Sequence, residues 1–141
     1  MPEDANCIFC GIVAGQIPSI KIYENAQVLA FMDINPVSTG HVLVIPKGHW
    51  RDLFDMPDEQ LGLVAAAVRK VAQAVKTVLN PDGISITQAN GKGAAQSVLH
   101  YHVHIVARTM GDELKINWEL VAGDMDAIGA VASRIRQQLE P

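Results

Sequence analysis

Three histidines, His100, His102 and His104, alternate with apolar or aromatic residues along one short stretch of the chain. On a β-strand alternate side chains point to the same face, so these three imidazoles would share a face at intervals of roughly 6.5–7 Å. One alternative is a half-buried strand whose polar face happens to be histidine, but Thr, Lys or Glu would serve a solvated face equally well. The pattern therefore indicates chemistry, with the histidines acting either as ligands of a catalytic metal or through one neutral imidazole as a nucleophile near pH 7.

Residues 90–97, directly before the histidines, consist of small residues followed by Gln96 and Ser97. Amide and hydroxyl side chains offer neutral hydrogen-bond donors to an anion, as a phosphoryl group would require. An ordinary hairpin turn explains the glycines of this segment on their own. Beside three alternating histidines, the segment favours the nucleophilic interpretation over the catalytic metal.

The two cysteines of the chain, Cys7 and Cys10, form a single C-x-x-C motif. Three interpretations are open: a redox pair, two unpaired buried thiols, or half of a zinc site that needs two more ligands. A thioredoxin-like redox pair normally follows a strand in a βαβ unit, whereas only six residues precede Cys7.

The elements that must position these side chains are of mixed type. A helix is predicted over 57–79, because Pro57 suits a first helical turn and apolar residues recur with the 3.6-residue period. Strand pairs on both sides of this helix predict an α+β domain, an antiparallel sheet with one long helix and shorter flanking helices. The other predicted elements are a short helix over 7–14, strands over 20–24, 28–32, 41–45, 84–89 and 98–107, and a last helix over 126–139.

Length and composition limit the possible classes of protein. The chain has 141 residues, of which 49% are apolar and 18% charged, as in a globular protein with one core. Its net charge of −4 argues against a general nucleic-acid binder. No run of 18 apolar residues predicts a membrane span, and the acidic, polar start differs from a secretory signal, so we expect a cytoplasmic protein.

Residues 100–106 fit the pattern His-φ-His-φ-His-φ-φ at every position, where φ is an apolar or aromatic residue. With Gln96-Ser97 just ahead and the segments 31–34 and 40–49 upstream, the chain resembles the histidine triad (HIT) nucleotide-binding proteins. The resemblance covers residues 5–108, and it is greatest to the bacterial form of the Hint branch. It implies a single HIT domain over 1–141, with 109–141 as a C-terminal extension.

The resemblance implies a hydrolase of purine nucleoside 5′-phosphoramidates and related AMP esters that works through a nucleotidyl-histidine intermediate. In that family the residue matching His102 is the nucleophile, and the residue matching His104 contacts the phosphate oxygen or the leaving group. His41 would lie behind them, and Gln96 and Ser97 would stabilise charge on the phosphoryl oxygens. Alternatives are a dinucleoside polyphosphate hydrolase, a metal-dependent hydrolase and a non-catalytic nucleotide-binding module.

The nucleotide-binding residues are also implied by the resemblance. Asp33 would accept hydrogen bonds from the ribose hydroxyls, although it can also cap the turn at Asn35. Asn90 would contact the sugar–phosphate region, although an Asn before Gly also suits a plain turn. Apolar walls predict weak discrimination between purine nucleotides such as AMP and GMP. The residues that match these walls are Ile8, Phe9, Ile12, Phe31 and Ile34.

Zinc and a homodimer follow from the same resemblance. Bacterial relatives with the cysteine pair hold a structural zinc at the positions matching Cys7, Cys10, His49 and His100, and catalysis would need no metal. The apolar face of the 57–79 helix would suit a dimer interface. One departure concerns Ala95, because many relatives have Gly there, and Ala would be strained if this position needs a positive φ.

Overall fold

A computed structural model describes residues 1–140, and it contains one five-stranded antiparallel sheet in the order β1-β2-β3-β5-β4. This architecture confirms the predicted α+β class with one long helix. The strands are β1 (Lys21–Glu24), β2 (Val28–Met32), β3 (Val42–Pro46), β4 (Gly83–Thr87) and β5 (Val103–Arg108). The helices are α1 (Ile8–Val13), α2 (Asp58–Leu79) and α3 (Met125–Leu139), with a 3₁₀ turn at Lys92–Ala94.

The long helix α2 covers one face of the sheet. Its stripe of Val64, Val68, Val71 and Val75 packs on residues of β2, β3 and β5 that alternate along each strand. The helix ends at Asn80, whose left-handed backbone (φ 46°) lets its N–H bond to the carbonyl of Lys76. This packing holds the central strands from one side and leaves their other face to α1.

The opposite face of the sheet carries the histidines. The remaining alternate residues of β2 and β3, such as Phe31 and Leu43, pack on Phe9 and Ile12 of α1. Strand β3 is buried along its whole length because both faces are covered. The functional side chains therefore lie in the layer between α1 and the sheet.

The predicted strand over 98–107 is wrong at its start, because β5 begins only at Val103. Residues 98–102 do not pair with a neighbouring strand; instead, the backbone N–H of Tyr101 donates to the carbonyl of Trp50. Tyr101 and Val103 nevertheless pack in the α2 cluster. The predicted division of faces between apolar residues and histidines therefore holds, although His100 and His102 precede the strand.

Smaller differences concern the turns and the ends of elements. Strand β4 ends at Thr87 rather than at 89, and the predicted turn at 90–93 overlaps the 3₁₀ turn, which extends to Ala94. Ala95 adopts a φ of 61°, which lies in the left-handed region. The strain expected for Ala at a positive φ is therefore present. Within residues 1–140, no helix combines the length and the apolar character needed to cross a membrane.

Candidate functional site

A cleft of about 480 Å³ opens between α1 and the histidine face of the sheet. It has an apolar end near α1 and a polar end at the histidines. Of the residues expected to bind nucleotide or catalyse, most line this cleft. They are Ile8, Phe9, Ile12, Phe31, Asp33, Ile34, His41, Ser97, His102 and His104.

The apolar end is built around Phe9 of α1. Its ring meets Phe31 edge-on at 5.5 Å and His102 at 5.2 Å between ring centroids. Helix α1 presents Phe9 here because the Cys7 side chain caps its first turn by accepting from the backbone N–H of Cys10. Ile8 and Ile34 remain exposed at the rim of the cleft, so this end can receive a flat apolar group beside His102.

The hydrogen bonds of His102 determine which of its nitrogens is free. Nδ1 lies 2.6 Å from the carbonyl oxygen of His100, and a carbonyl can only accept, so Nδ1 carries the hydrogen. In the neutral ring Nε2 therefore keeps its lone pair. A buried imidazole with one nitrogen held and the other unprotonated is arranged as a nucleophile.

His41 and His104 form a hydrogen-bonded pair beside this nucleophile. The backbone N–H of Val37 donates to Nδ1 of His41, so the hydrogen of the neutral His41 ring is on Nε2. That Nε2 lies 2.8 Å from Nδ1 of His104, which leaves the His104 hydrogen on its own Nε2. The pair can therefore offer an N–H donor into the polar end of the cleft.

Asp33 supplies the carboxylate of this group. Its Oδ2 lies 3.5 Å from Nε2 of His41, and its Oδ1 accepts from the backbone N–H of Asn35 at 2.8 Å. The turn-capping role considered for Asp33 is thus present together with its place in the cleft. One carboxylate oxygen is held by the turn, and the other faces the histidines.

Burial keeps the histidines of the cleft neutral. It lowers the pKa of His41 and of His102 below the ordinary histidine value. It lowers the pKa of His104 to about 4, assisted by repulsion from His102 and His41. At neutral pH the imidazole of His102 therefore retains the lone pair that a nucleophile needs.

Gln96 and Asn90, for which direct roles are expected, do not line the cleft. The side-chain N–H groups of Gln96 donate to the carbonyls of Arg51 (2.6 Å) and Val98 (3.1 Å), and its oxygen accepts from the N–H of Gly91. With both hydrogens already engaged, Gln96 has no donor left for a phosphoryl oxygen. Instead it holds the loop that carries Ser97.

Asn90 is likewise occupied by the protein itself. Its oxygen accepts from the backbone N–H of Leu53 at 2.8 Å and from the side chain of Gln88 at 2.6 Å. These bonds join the segment before α2 to the loop after β4. In this structure the hydrogen bonds of Asn90 thus connect two loops.

Cys7, Cys10, His49 and His100 form a second cluster, behind Phe9, whose ligand atoms lie within 4.8 Å of one another. Nδ1 of His100 is 3.4 Å from Sγ of Cys7 and 3.6 Å from Sγ of Cys10, and Nδ1 of His49 is 3.4 Å from Sγ of Cys10. A tetrahedron with bonds of about 2.0–2.3 Å has edges of roughly 3.3–3.8 Å. The spacing and the donor types both fit a tetrahedral zinc ion.

The second nitrogen of each histidine in this cluster has a partner of its own. Nε2–H of His100 donates to the carbonyl of Pro46 at 2.9 Å, which turns the Nδ1 lone pair towards the thiols. Nε2 of His49 lies 3.9 Å from the carboxylate of Asp4. The hydrogen bond to Pro46 thus orients His100 as a ligand, and the carboxylate of Asp4 lies near the outer nitrogen of His49.

The sequence patterns did not predict two features of the site. One is the backbone groups that orient the histidines, and the other is a part of the cleft wall. The N–H of Val37 and the carbonyl of Pro46 carry no side-chain signal. Leu43, however, alternates with the α2-facing residues of β3, and this period of two could have placed it on the histidine face.

Comparison with known proteins agrees with this geometry. The sequence profile of the HIT domain matches residues 14–111. A HIT-family structure from Bacillus subtilis superposes with a TM-score of 0.89 at 40% identity, covering 96% of this chain and 99% of that one. A zinc-bound histidine triad protein from Mycobacterium smegmatis superposes with a TM-score of 0.74 at 39% identity, covering 95% of each chain.

One of the relatives is named for an enzymatic activity. The adenosine 5′-monophosphoramidase of Candida albicans is 36% identical over 146 aligned positions, covering 99% of this chain and 95% of the relative. The matched profile spans more than half of the chain and includes the whole histidine pattern. This chain belongs to the HIT domain family, the nucleotide hydrolases of the histidine triad.

Proposed function

We propose that the protein hydrolyses purine nucleoside 5′-phosphoramidates and related AMP esters through a nucleotidyl intermediate on Nε2 of His102. The observation that carries this proposal is the hydrogen bond from Nδ1 of His102 to the carbonyl of His100. It leaves the nucleophilic nitrogen unprotonated where the apolar and polar ends of the cleft meet. The similarity to a named phosphoramidase supports the choice of substrate.

The cleft suits a nucleoside monophosphate in one orientation. A purine fits between Phe9, Phe31 and the isoleucines, and Asp33 can accept from the ribose hydroxyls beside it. The α-phosphate then lies against His102 and His104, with the Ser97 hydroxyl as a donor to a phosphoryl oxygen. Because the walls are apolar, we expect AMP and GMP derivatives to bind with similar affinity.

The reaction proceeds in two displacements. Nε2 of His102 attacks the α-phosphorus while the bond to the leaving amine breaks, and that amine takes up a proton from solvent water. Nε2–H of the neutral His104 donates a hydrogen bond to a phosphoryl oxygen as charge builds up there. A second water then attacks the phosphorus, the bond to His102 breaks, and the proton of this water passes to solvent, where it neutralises the hydroxide left by the first step.

We assign a structural role to zinc at Cys7, Cys10, His49 and His100. Four protein ligands leave no coordination position for water, and the zinc-bound relative supports the choice of metal. Zinc would tie α1 to the histidine segment, and the chain's own residues would carry out catalysis. Two reduced thiols also suit the cytoplasm, which we propose as the compartment.

We further propose a homodimer of one HIT domain per chain, residues 1–141, with 109–141 as its extension. The supporting feature is an open apolar patch beside the uncovered edge strand β4, where Ala65, Val68 and Ala72 of α2 approach Ile84 and Ile86. An exposed edge strand of this kind is a ready template for pairing between copies.

AMP release from adenosine 5′-phosphoramidate, measured with excess chelator, tests the function. Wild type should release AMP, and His102→Ala should lose at least about 10³-fold in rate while still binding AMP. Wild-type rates in His102→Ala would overturn the proposal. Faster turnover of a diadenosine polyphosphate would assign the related hydrolase activity, and activity that depends on added metal would assign a catalytic metal.

A further inference from the structure

Helix α3 is amphipathic but covers nothing in its own chain. Ile128, Val131, Ile135 and Leu139 recur at intervals of three and four residues and form one apolar stripe. None of the side chains of Met125–Leu139 is buried, and the stripe residues are 50–77% exposed. Because most helical stability in proteins comes from packing of the apolar face, an uncovered stripe of this kind indicates an interaction surface.

The total surface of the chain shows how much is left uncovered. The chain exposes 9726 Å², whereas a compact monomer of 15.2 kDa exposes about 7,100 Å². The excess of roughly 2,600 Å² per copy, or roughly 5,200 Å² for two copies, lies close to the upper end of the about 2,000–5,000 Å² that an obligate homodimer buries in total. A second copy of the chain is therefore an occupant of suitable size.

A receiving surface lies on the flank of α2 away from the β4 patch. It is an apolar groove of about 480 Å³ between α2 and the strands β1 and β2, and we call it the α2 groove. Val78 on its wall is 79% exposed and Ile22 is 46% exposed. Its other apolar residues are Met32, Val42, Val71, Ala74, Val75 and Leu79.

The stripe and the groove agree in length. The α3 stripe spans eleven residue steps, about 16 Å at 1.5 Å per residue, and the groove follows α2 from Lys70 to Leu79, about 14 Å. Each copy thus has one unfilled apolar groove and one uncovered apolar helix. In a two-fold dimer each helix can fill the groove of the other copy.

The segment that leads to α3 leaves the body from a fixed point. Arg108, at the end of β5, holds both oxygens of Asp112 at 2.6 Å and also bonds to Ser85 of β4 and to Asn117. The chain is therefore anchored at the β4 edge of the sheet, the edge that the proposed dimer would bring against the second copy. Residues 118–124 beyond this anchor span up to about 24 Å when extended.

We propose that α3 of each copy packs into the α2 groove of a second copy, so that the dimer exchanges its C-terminal helices. This inference rests on the proposed dimer but not on the proposed reaction. A membrane surface is a weaker occupant, because α3 carries only two basic residues, Arg134 and Arg136, together with the acidic Asp126. Helices that lie on membranes are instead rich in Lys and Arg.

Cross-linking between two different variants tests the exchange directly. Ala74→Cys places a thiol in the α2 groove, and Ile135→Cys places one on the α3 stripe, both at exposed positions. When the two variants are mixed and treated with a short bismaleimide, we expect a covalent dimer that neither variant forms alone. The wild type, which keeps Cys7 and Cys10, controls for the native thiols.

Two outcomes would overturn the exchange. One is the absence of a cross-linked dimer in the mixture. The other is a double variant, Ala74→Cys with Ile135→Cys, that cross-links only within one chain, since this would place α3 in its own groove.

A second measurement separates this inference from the proposed function. Ile128→Asp with Ile135→Asp should weaken dimerisation at least tenfold in sedimentation, whereas Gln137→Asp on the polar face should not. Because none of these residues belongs to the cleft, AMP release at high protein concentration should persist. An unchanged dimer in the double variant would overturn the inference, and so would a monomeric wild type that floats with anionic vesicles. Absence of AMP release from the wild type would contradict the proposed reaction and leave the helix exchange unaffected.

Discussion

The carbonyl oxygen of His100 accepts a 2.6 Å hydrogen bond from Nδ1 of His102. The ring of the same His100 faces the two thiols of the second cluster, with its Nδ1 3.4 Å from Cys7. One residue therefore contributes its side chain to the candidate zinc site and its backbone to the candidate nucleophile. The two sites are built on one segment, two residues apart, so the structure around the thiols also holds His102 in place.

Removal of a thiol should affect stability much more than chemistry. We expect Cys10→Ser to lose bound zinc and to unfold at a lower temperature, because the four-ligand site would tie α1 to His100. AMP release per folded protein should fall less than about tenfold, since His102 keeps its backbone partner. Metal analysis and calorimetry check this, with Ala14→Ser at the exposed end of α1 as the control. An unchanged melting temperature and unchanged metal content would contradict the zinc site.

Stability should depend on pH through His104. Its pKa is about 4 in the folded chain, against an ordinary 6.5, so between these values the unfolded chain binds a proton that the folded chain does not. The free energy of unfolding should therefore be highest above pH 6.5 and fall as the pH drops towards 4. The lowered pKa values of His41 and His102 act in the same direction.

The size of this effect can be measured with one variant. For His104 alone we expect a loss of about 2 kcal/mol, reduced from the full shift because the ring is partly exposed. Urea unfolding of wild type and of His104→Gln between pH 4 and pH 7 isolates the contribution. Parallel pH profiles for the two proteins would show that His104 does not titrate as expected.

Gln96 should act as a support of the loop. Gln96→Ala leaves the N–H of Gly91 and the carbonyls of Arg51 and Val98 without their partner, at about 2–3 kcal/mol of unfolding free energy. Gln137→Ala, on the exposed face of α3, is the matched control and should change stability by less than about 0.5 kcal/mol. Denaturant unfolding measures both. Unchanged stability with a large fall in kcat would instead support direct contact between Gln96 and the phosphate.

Replacement of Ala95 by glycine should stabilise the folded protein. Its φ of 61° is unfavourable for a residue with a Cβ, so Ala95→Gly should raise the free energy of unfolding by up to about 1 kcal/mol. Ala94→Gly, one residue earlier in the 3₁₀ turn, provides the control and should lower it by about 0.5–1 kcal/mol. If both variants lower stability equally, the left-handed conformation of Ala95 is not a source of strain.

The local pattern of residue types was enough to predict most of the elements and the division of faces. The period of 3.6 predicted α2 to within one residue, and alternation placed Tyr101 and Val103 opposite the histidines. Patterns of this kind work because the side chains of one element meet the same environment at each repeat. They are weakest at the ends of elements, and β5 accordingly begins five residues later than predicted.

Contacts between distant parts of the chain decided the rest. His100 meets thiols 90 and 93 positions away, and Gln96 bonds to a carbonyl 45 positions away. The tautomers of His41 and His102 depend on backbone groups that carry no side-chain signal. The sequence by itself determined most of the elements and the face that the histidines occupy, because these follow from residue type and strand or helix period. Only the tertiary structure decided which donors remain free, because each hydrogen bond depends on which groups packing brings within reach of one another.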